Sequence, residues 1–160
     1  MLTMTTTNDK LVDVLNGLIE INNDRVNGYE KASEETKTLD VDLQAIFKKF
    51  ADDSRKFAAE LTQEVSRLGG DPVTGTTNSG KLYRVWMDVK ALFSGKDRQA
   101  ILESCEFGED AAQKAYTAAL ASDAEIDADT RQLITDQQAK LKNGHDLVKK
   151  YRDAHKVMNN

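Results

Sequence analysis

Residues 69–80 read GGDPVTGTTNSG, and this stretch is the main interruption in a chain that is otherwise patterned for helices. It contains Pro72, the only proline among 160 residues, together with four of the nine glycines. Proline and glycine are the residues that most often end helices and start turns. Long segments with helical periodicity lie on both sides, and no segment shows the alternation of a strand. The sequence therefore predicts an all-α chain divided by one long connection.

Four long segments carry apolar residues at steps of three and four, the spacing of one face of a helix. We predict long helices at about 9–38, 40–69, 97–122 and 128–157. The first begins after Asn8, a favoured N-cap residue, and the second ends at the Gly69-Gly70 pair. A further amphipathic stretch predicts a short helix at about 81–93, because a connection of this length without any structure is improbable in a compact domain.

The order of long and short connections predicts the topology. Short links near residues 39 and 125 join two antiparallel hairpins. Because helices of this length extend roughly 38–45 Å, the connection at 70–96 is long enough to travel the full length of the bundle. We therefore predict one domain over residues 1–160, an all-α four-helix bundle with a long crossover that carries a short extra helix. This is the ferritin-like arrangement, and up-and-down winding is the alternative if the short helix only caps one end.

Charge and composition exclude several classes of protein. The formal net charge of −5, with the two signs interspersed, argues against nucleic-acid binding, and the lysines near the end of the last helix match its dipole. The single cysteine, Cys105, cannot form an internal disulfide. No apolar segment approaches the ~20 residues needed to cross a bilayer. We expect a cytoplasmic protein with no nucleic-acid or membrane partner.

A glutamate, Glu109, interrupts the apolar stripe of the third long helix. Counting helix heights from the two hairpin links places three other polar residues of inward stripes at the same level. The predicted polar core layer consists of Asn22, Ser54, Glu109 and Gln138. We expect Glu109 to be a buried polar anchor, held by these neutral groups or by an arginine such as Arg25 or Arg55.

Ferritin-like dimetal proteins hold their ions at this level, with a glutamate on each of two helices and a Glu-x-x-His pair on each of the others. This chain has two histidines, His145 and His155, and neither follows a glutamate at the required spacing. One carboxylate leaves most of the cost of burying two ions uncompensated. We therefore expect no cofactor and no enzymatic activity. The alternative is an iron or manganese site formed by Glu109, Glu106, Glu30 and His145.

Two motifs carry a family resemblance: E-x-G-E-D-A at residues 106–111 and G-x-x-x-R-x-W at residues 80–86. With the LGGDP segment and the spacing from Gln138 to His145, they resemble a bacterial family of ferritin-like four-helix-bundle proteins of unknown function, over about residues 8–155. That family usually has a histidine where this chain has Tyr83 and an arginine where it has Phe107. The resemblance implies the ferritin-like fold, related to ferritin and rubrerythrin, and brings no established activity.

The functional expectation is a bundle with a degenerate metal site. We expect a non-enzymatic protein with a structural, stress-related or interaction role that forms a homo-oligomer such as a dimer. A small-ligand protein with an apolar cavity near the polar layer is a further hypothesis, because the third helix contains a series of alanines between Ala111 and Ala119 that can leave space between helices.

Overall fold

The computed structural model describes residues 6–35, 41–76 and 98–158, and this part of the chain forms a bundle of four helices. They are α1 (Thr6–Glu35), α2 (Val41–Arg67), α3 (Arg98–Leu120) and α4 (Ala128–Met158). The predicted long helices are confirmed, with described ends that differ by up to three residues. The short helix predicted at 81–93, the link near residue 39 and the motif at residues 80–86 lie outside the described residues.

The glycine pair after α2 ends that helix as the sequence predicts. Gly69 adopts a left-handed conformation with φ of 82°, and its N–H donates to the carbonyl of Ser66 at 3.0 Å. The N–H of Gly70 donates to the carbonyl of Val65 at 2.9 Å. These two bonds form a Schellman motif, which only glycine forms without strain at the left-handed position.

Contacts between helices fix their directions. Near one end of the bundle, Arg67 at the end of α2 lies beside Thr130 at the start of α4, and the Nη2 and Oγ1 atoms are 3.2 Å apart. Further along, Gln137 of α4 contacts Phe57 of α2, so these two helices are antiparallel. Since α3 and α4 also form an antiparallel hairpin, α2 and α3 are parallel. The chain must therefore cross the length of the bundle between them, and the predicted crossover topology is confirmed.

The first part of this crossover lies along α1. The side chain of Asn16 donates to the carbonyl of Asp71 at 3.1 Å and accepts from the N–H of Val73 at 3.0 Å. Two turns later, Asn23 donates to the carbonyl of Gly75 at 2.8 Å. The connection thus starts back toward the other end of the bundle as soon as α2 has ended.

Apolar side chains from all four helices form one core. The largest fully buried apolar side chains include Leu11, Leu15, Leu18, Tyr29, Phe47, Phe57, Leu61, Leu102 and Tyr116. Five apolar or aromatic residues at the spacing of the inward stripes are only half-buried, namely Val26, Ile46, Leu68, Leu133 and Tyr151. They lie at the margins of the apolar stripes. Among the described residues, no helix combines the length and the apolar character that crossing a membrane requires.

Candidate functional site

The centre of the bundle contains an ion pair between Arg25 of α1 and Glu109 of α3. Both side chains are 1% exposed. The Arg25 Nε atom donates to Glu109 Oε1 at 2.6 Å, and Nη2 donates to Oε2 at 3.1 Å. This two-point geometry between guanidinium and carboxylate is the strongest form of a charge-assisted hydrogen bond in proteins. The anion that interrupts the apolar stripe of α3 is therefore neutralised by a cation from the facing helix.

The remaining contacts of Arg25 fix its orientation. Its Nη1 atom donates to the hydroxyl of Ser54 on α2, and its guanidinium carbon lies 5.1 Å from the centre of the Tyr29 ring. Burial lowers the pKa of Arg25, but the Glu109 carboxylate, together with Tyr29 and Tyr116, raises it by more, so the pKa lies above its usual value. One guanidinium thus connects α1, α2 and α3, and it stays charged.

Two other titratable groups beside the pair are held neutral. Burial, reinforced by the charge of Glu109, raises the pKa of the Tyr29 hydroxyl well above its ordinary value. The same two causes raise the pKa of the Cys105 thiol, which is completely buried. Because a cysteine nucleophile needs a thiolate, this environment opposes nucleophilic chemistry at Cys105.

A second polar chain lies next to the ion pair and crosses the bundle from α1 to α4. Asn22 donates through Nδ2 to the hydroxyl of Tyr116 at 2.9 Å, and that hydroxyl donates to Gln137 Oε1 at 2.6 Å. The Nε2 atom of Gln137 then donates to Glu60 Oε1 at 3.1 Å and to the carbonyl of Phe57 at 3.3 Å. Every helix contributes to this chain of hydrogen bonds, so it fixes the relative heights of the helices.

The structure places three of the four residues of the predicted polar layer in the core: Asn22, Ser54 and Glu109 are buried. The fourth, Gln138, is half-buried and donates to Thr117 Oγ1 at 2.9 Å on the surface between α3 and α4. Gln137 takes its place. Counting residues from the hairpin links gives the height of a residue, but each residue turns the helix by about 100°, so a shift of one position changes which side chain points inward.

The predicted layer did not include Arg25, which was named with Arg55 as a possible partner of Glu109 beside the neutral groups. In the structure the partner of the glutamate is Arg25. The signal was the spacing: Arg25 lies three residues after Asn22 and four before Tyr29, on the same face of α1. Arg55, the other arginine considered, is half-exposed and pairs with Glu30 at 2.7 Å.

The four residues of the alternative metal site do not come together. Glu30 is 51% exposed and bound to Arg55, whereas Glu106 is half-buried and paired with Arg152. The Nε2 atom of His145 lies 2.6 Å from an Asp110 oxygen and its Nδ1 atom lies 3.2 Å from Asp146, while Glu109 binds Arg25. Across residues 6–35, 41–76 and 98–158, no group of three or more His, Cys, Asp or Glu side chains is placed to hold a metal ion.

Solved structures share this architecture at low sequence identity. The chain is similar to a mutant of Dps1 from Mycobacterium smegmatis, at 12% identity and a TM-score of 0.76, over 94% of this chain and 99% of that one. It is also similar to a dodecameric thioferritin, the bacterioferritin-related protein of Bacteroides fragilis, at 16% identity and a TM-score of 0.76, over 95% and 89% of the two chains. A ferritin-like, diiron-carboxylate protein of Bacillus anthracis matches over 98% and 100%, at 16% identity and a TM-score of 0.62.

These likenesses establish the ferritin-like fold, which confirms the resemblance seen in the sequence. No curated protein matches this sequence. A family model described as a domain of unknown function, DUF2383, matches residues 10–122, which is more than half of the chain. The chain therefore belongs to the DUF2383 family and has the fold of the ferritin-like proteins.

Proposed function

We propose that this chain is a ferritin-like bundle that works without a bound metal and without catalysis, as a structural, stress-related or interaction protein of the cytoplasm. The observation that carries the proposal is the Arg25–Glu109 pair. It lies in the bundle core, where ferritin-like dimetal proteins hold two ions between carboxylates and histidines. Here the positive charge in the core belongs to the protein itself.

Charge and desolvation support this reading. A metal ion that approached Glu109 would have to displace Arg25 from the carboxylate. The guanidinium would then be left in the core without its counter-ion, and removing one partner from a buried pair costs about 3–5 kcal/mol. A divalent ion prefers several oxygen ligands. In the hydrogen bonds described for the ion pair, Ser54 supplies one hydroxyl, and Glu109 is the one carboxylate. These donors do not fit a dimetal centre.

The alternative is an iron or manganese protein that uses Glu109 with Glu106, Glu30 and His145. It draws support from the Bacillus anthracis relative, which is described as a diiron-carboxylate protein. Against it, each of the four side chains already has a partner of opposite or complementary charge, and Glu30 lies on the half-exposed surface. Binding would require several ion pairs to break at once.

Self-association is part of the proposal. The Bacteroides fragilis protein is described as dodecameric, and this chain has the same fold. We therefore propose a homo-oligomer, with a dimer as its smallest form. An assembly role needs no cofactor, which agrees with a core filled by its own ion pair.

Native mass spectrometry after anaerobic loading with Fe(II) or Mn(II) tests the metal-free reading. We expect the wild-type chain and the Glu109→Gln variant to carry no stoichiometric metal, while a diiron protein loaded in parallel binds its ions. Two tightly bound ions in the wild type, lost in Glu109→Gln with the fold retained, would replace the proposal by the metal-binding alternative.

A further inference from the structure

A cleft opens between α2 and α4 on the surface of the bundle. It has a volume of about 420 Å³, and each helix contributes four residues at the spacing of one helix face. Its apolar floor is formed by Ile46, Phe50, Gly144 and Leu147, and its rim by Lys49, Asp53, Lys140 and Asn143. The cleft is therefore an apolar depression with a polar edge.

Gly144, which lines the cleft, lets α4 pack closely against the centre of the bundle. A Cβ atom added at this residue would lie 3.1 Å from Glu109 Oε2 and 3.5 Å from the ring of Phe50. The backbone of α4 thus packs directly on the central ion pair. A glycine inside a helix is destabilising relative to alanine, so its presence here reflects this close approach.

A second surface feature is an exposed phenylalanine on α3. Phe107 of α3 is 54% exposed, and only Val41 joins it as a large exposed apolar side chain in the described part of the chain. Two exposed acids flank it on the same face of the helix, Glu103 four residues before and Asp110 three residues after. Phe107 thus lies between two acids along α3, of which Asp110 also contacts His145 Nε2 at 2.6 Å.

The two surfaces are complementary in charge and in polarity. The rim of the cleft carries Lys49 and Lys140 against one acid, Asp53, which lies 3.1 Å from Lys49. It is therefore net positive on a chain whose formal charge is −5. A protein of that charge repels its own copies except where a positive surface meets a negative one. Aromatic anchors that enter apolar pockets dominate the binding energy of many interfaces.

We propose that Phe107 of one copy of this chain docks in the α2/α4 cleft of a second copy, with Lys49 and Lys140 facing Glu103 and Asp110. The proposal rests on the self-association part of the proposed function. Because the anchor and the cleft lie on different surfaces, the contact is heterologous, head to tail. Such a contact generates rings or closed shells when its rotation closes, rather than an isolated two-fold dimer.

Two variants and their mixture test this geometry. Phe107→Ala removes the anchor and keeps the cleft, while the double variant Lys49→Glu with Lys140→Glu reverses the rim and keeps the anchor. Sedimentation analysis should show an oligomer for the wild type and at least a tenfold weaker self-association for each variant. Glu125→Ala, an exposed change in the link between α3 and α4 and eighteen residues beyond Phe107, is the control and should assemble like the wild type.

The mixture decides between head-to-tail and two-fold contacts. In an equimolar mixture, the intact anchor of the rim variant can enter the intact cleft of Phe107→Ala, so we expect a 1:1 complex and no larger species. An oligomer that persists in Phe107→Ala, or a mixture without any complex, overturns this contact and leaves self-association by another surface standing. A wild-type monomer over the whole concentration range overturns both, and would leave the cleft to a small ligand or a foreign chain.

Discussion

Arg25 donates through three different nitrogens to two residues, twice to Glu109 and once to Ser54. A buried ion pair adds little net stability over apolar side chains of the same size, because desolvation offsets most of the attraction. What it adds is a requirement: the pair forms only when α1 and α3 are at one relative height. The polar chain through Tyr116 imposes a similar requirement on α4.

Removing one member of the pair should be far more costly than removing both. We expect Arg25→Met to lower the free energy of unfolding by about 3–5 kcal/mol, because Glu109 is left buried without its counter-ion. The double variant Arg25→Met with Glu109→Leu should lose less, since no charge remains in the core. Urea denaturation measures both values.

Arg55→Met is the control for this experiment, because Arg55 pairs with Glu30 on the half-exposed surface. It should change the free energy of unfolding by no more than about 1 kcal/mol. The double variant Arg25→Met with Glu109→Leu would contradict the ion-pair account if it lost as much stability as Arg25→Met alone and Glu109→Leu alone added together.

Gly144 offers a second test at the scale of single residues. In Gly144→Ala, the new methyl group meets the Glu109 carboxylate at 3.1 Å, and Arg25 prevents that carboxylate from moving away. We expect a loss of about 1–3 kcal/mol, as for other overpacked cores. Gly17→Ala, on an exposed part of α1 with nothing within 4 Å of the new atom, should instead gain about 0.5–1 kcal/mol. Thermal denaturation that finds equal effects at the two positions would refute the close approach of α4.

At the scale of elements, charged and polar side chains connect the end of α2 to the start of α4. Asp127 caps α4: its Oδ2 atom accepts from the N–H of Thr130 at 3.2 Å. The single proton of the Thr130 hydroxyl has two acceptors, Glu64 Oε1 at 2.8 Å and Asp127 Oδ1 at 2.7 Å. Arg67 reaches all three residues from the end of α2. This cluster connects the end of one helix to the start of another.

The two carboxylates of this cluster, Glu64 and Asp127, predict that stability depends on pH. The hydrogen bond from Arg67 lowers the pKa of Glu64 from 4.5, and the hydroxyl of Thr130 lowers that of Asp127 from 3.8. Since both folded values are lower than the unfolded ones, their stabilisation is fully present above those ordinary values and is lost as the pH falls through the folded pKa values. The free energy of unfolding should therefore decrease below about pH 4.5, and less steeply in Glu64→Gln. Parallel curves for the two proteins would rule out this contribution of Glu64.

The elements also show where sequence patterns have limits. Helical periodicity and the glycine pair predicted the four long helices, because the apolar stripes are continuous and the stop at Gly69 has a single backbone explanation. The facing of α4 was harder to predict. Gln137 and Gln138 are chemically identical and adjacent, so no property of the side chain distinguishes the inward one, and the choice depends on how α4 packs against Tyr116.

At the scale of the whole molecule, one crossover makes α2 and α3 parallel and brings Ser54 and Glu109 to the same level. The sequence predicted this because the connection after Gly70 is too long for a hairpin and the two other links are short. It named Arg25 only as one of several candidate partners of Glu109, since an arginine in an amphipathic helix is usually exposed. The Phe107 anchor and the α2/α4 cleft depend on the packed surface as a whole, and a one-dimensional pattern contains neither.

Asn16 and Asn23 of α1 fix the distance that the connection after α2 has to span. They are seven residues apart on α1, about 10.5 Å along its axis. Between their partners, Asp71 and Gly75, four residues can span at most about 14 Å. The departing segment therefore spans about three quarters of its maximum length, and with one residue fewer it would have to be fully extended to keep both contacts. The length of a surface loop often varies in evolution. Because residues 71–75 are hydrogen-bonded to α1 at both ends, we expect this segment to keep five residues even where their identities change.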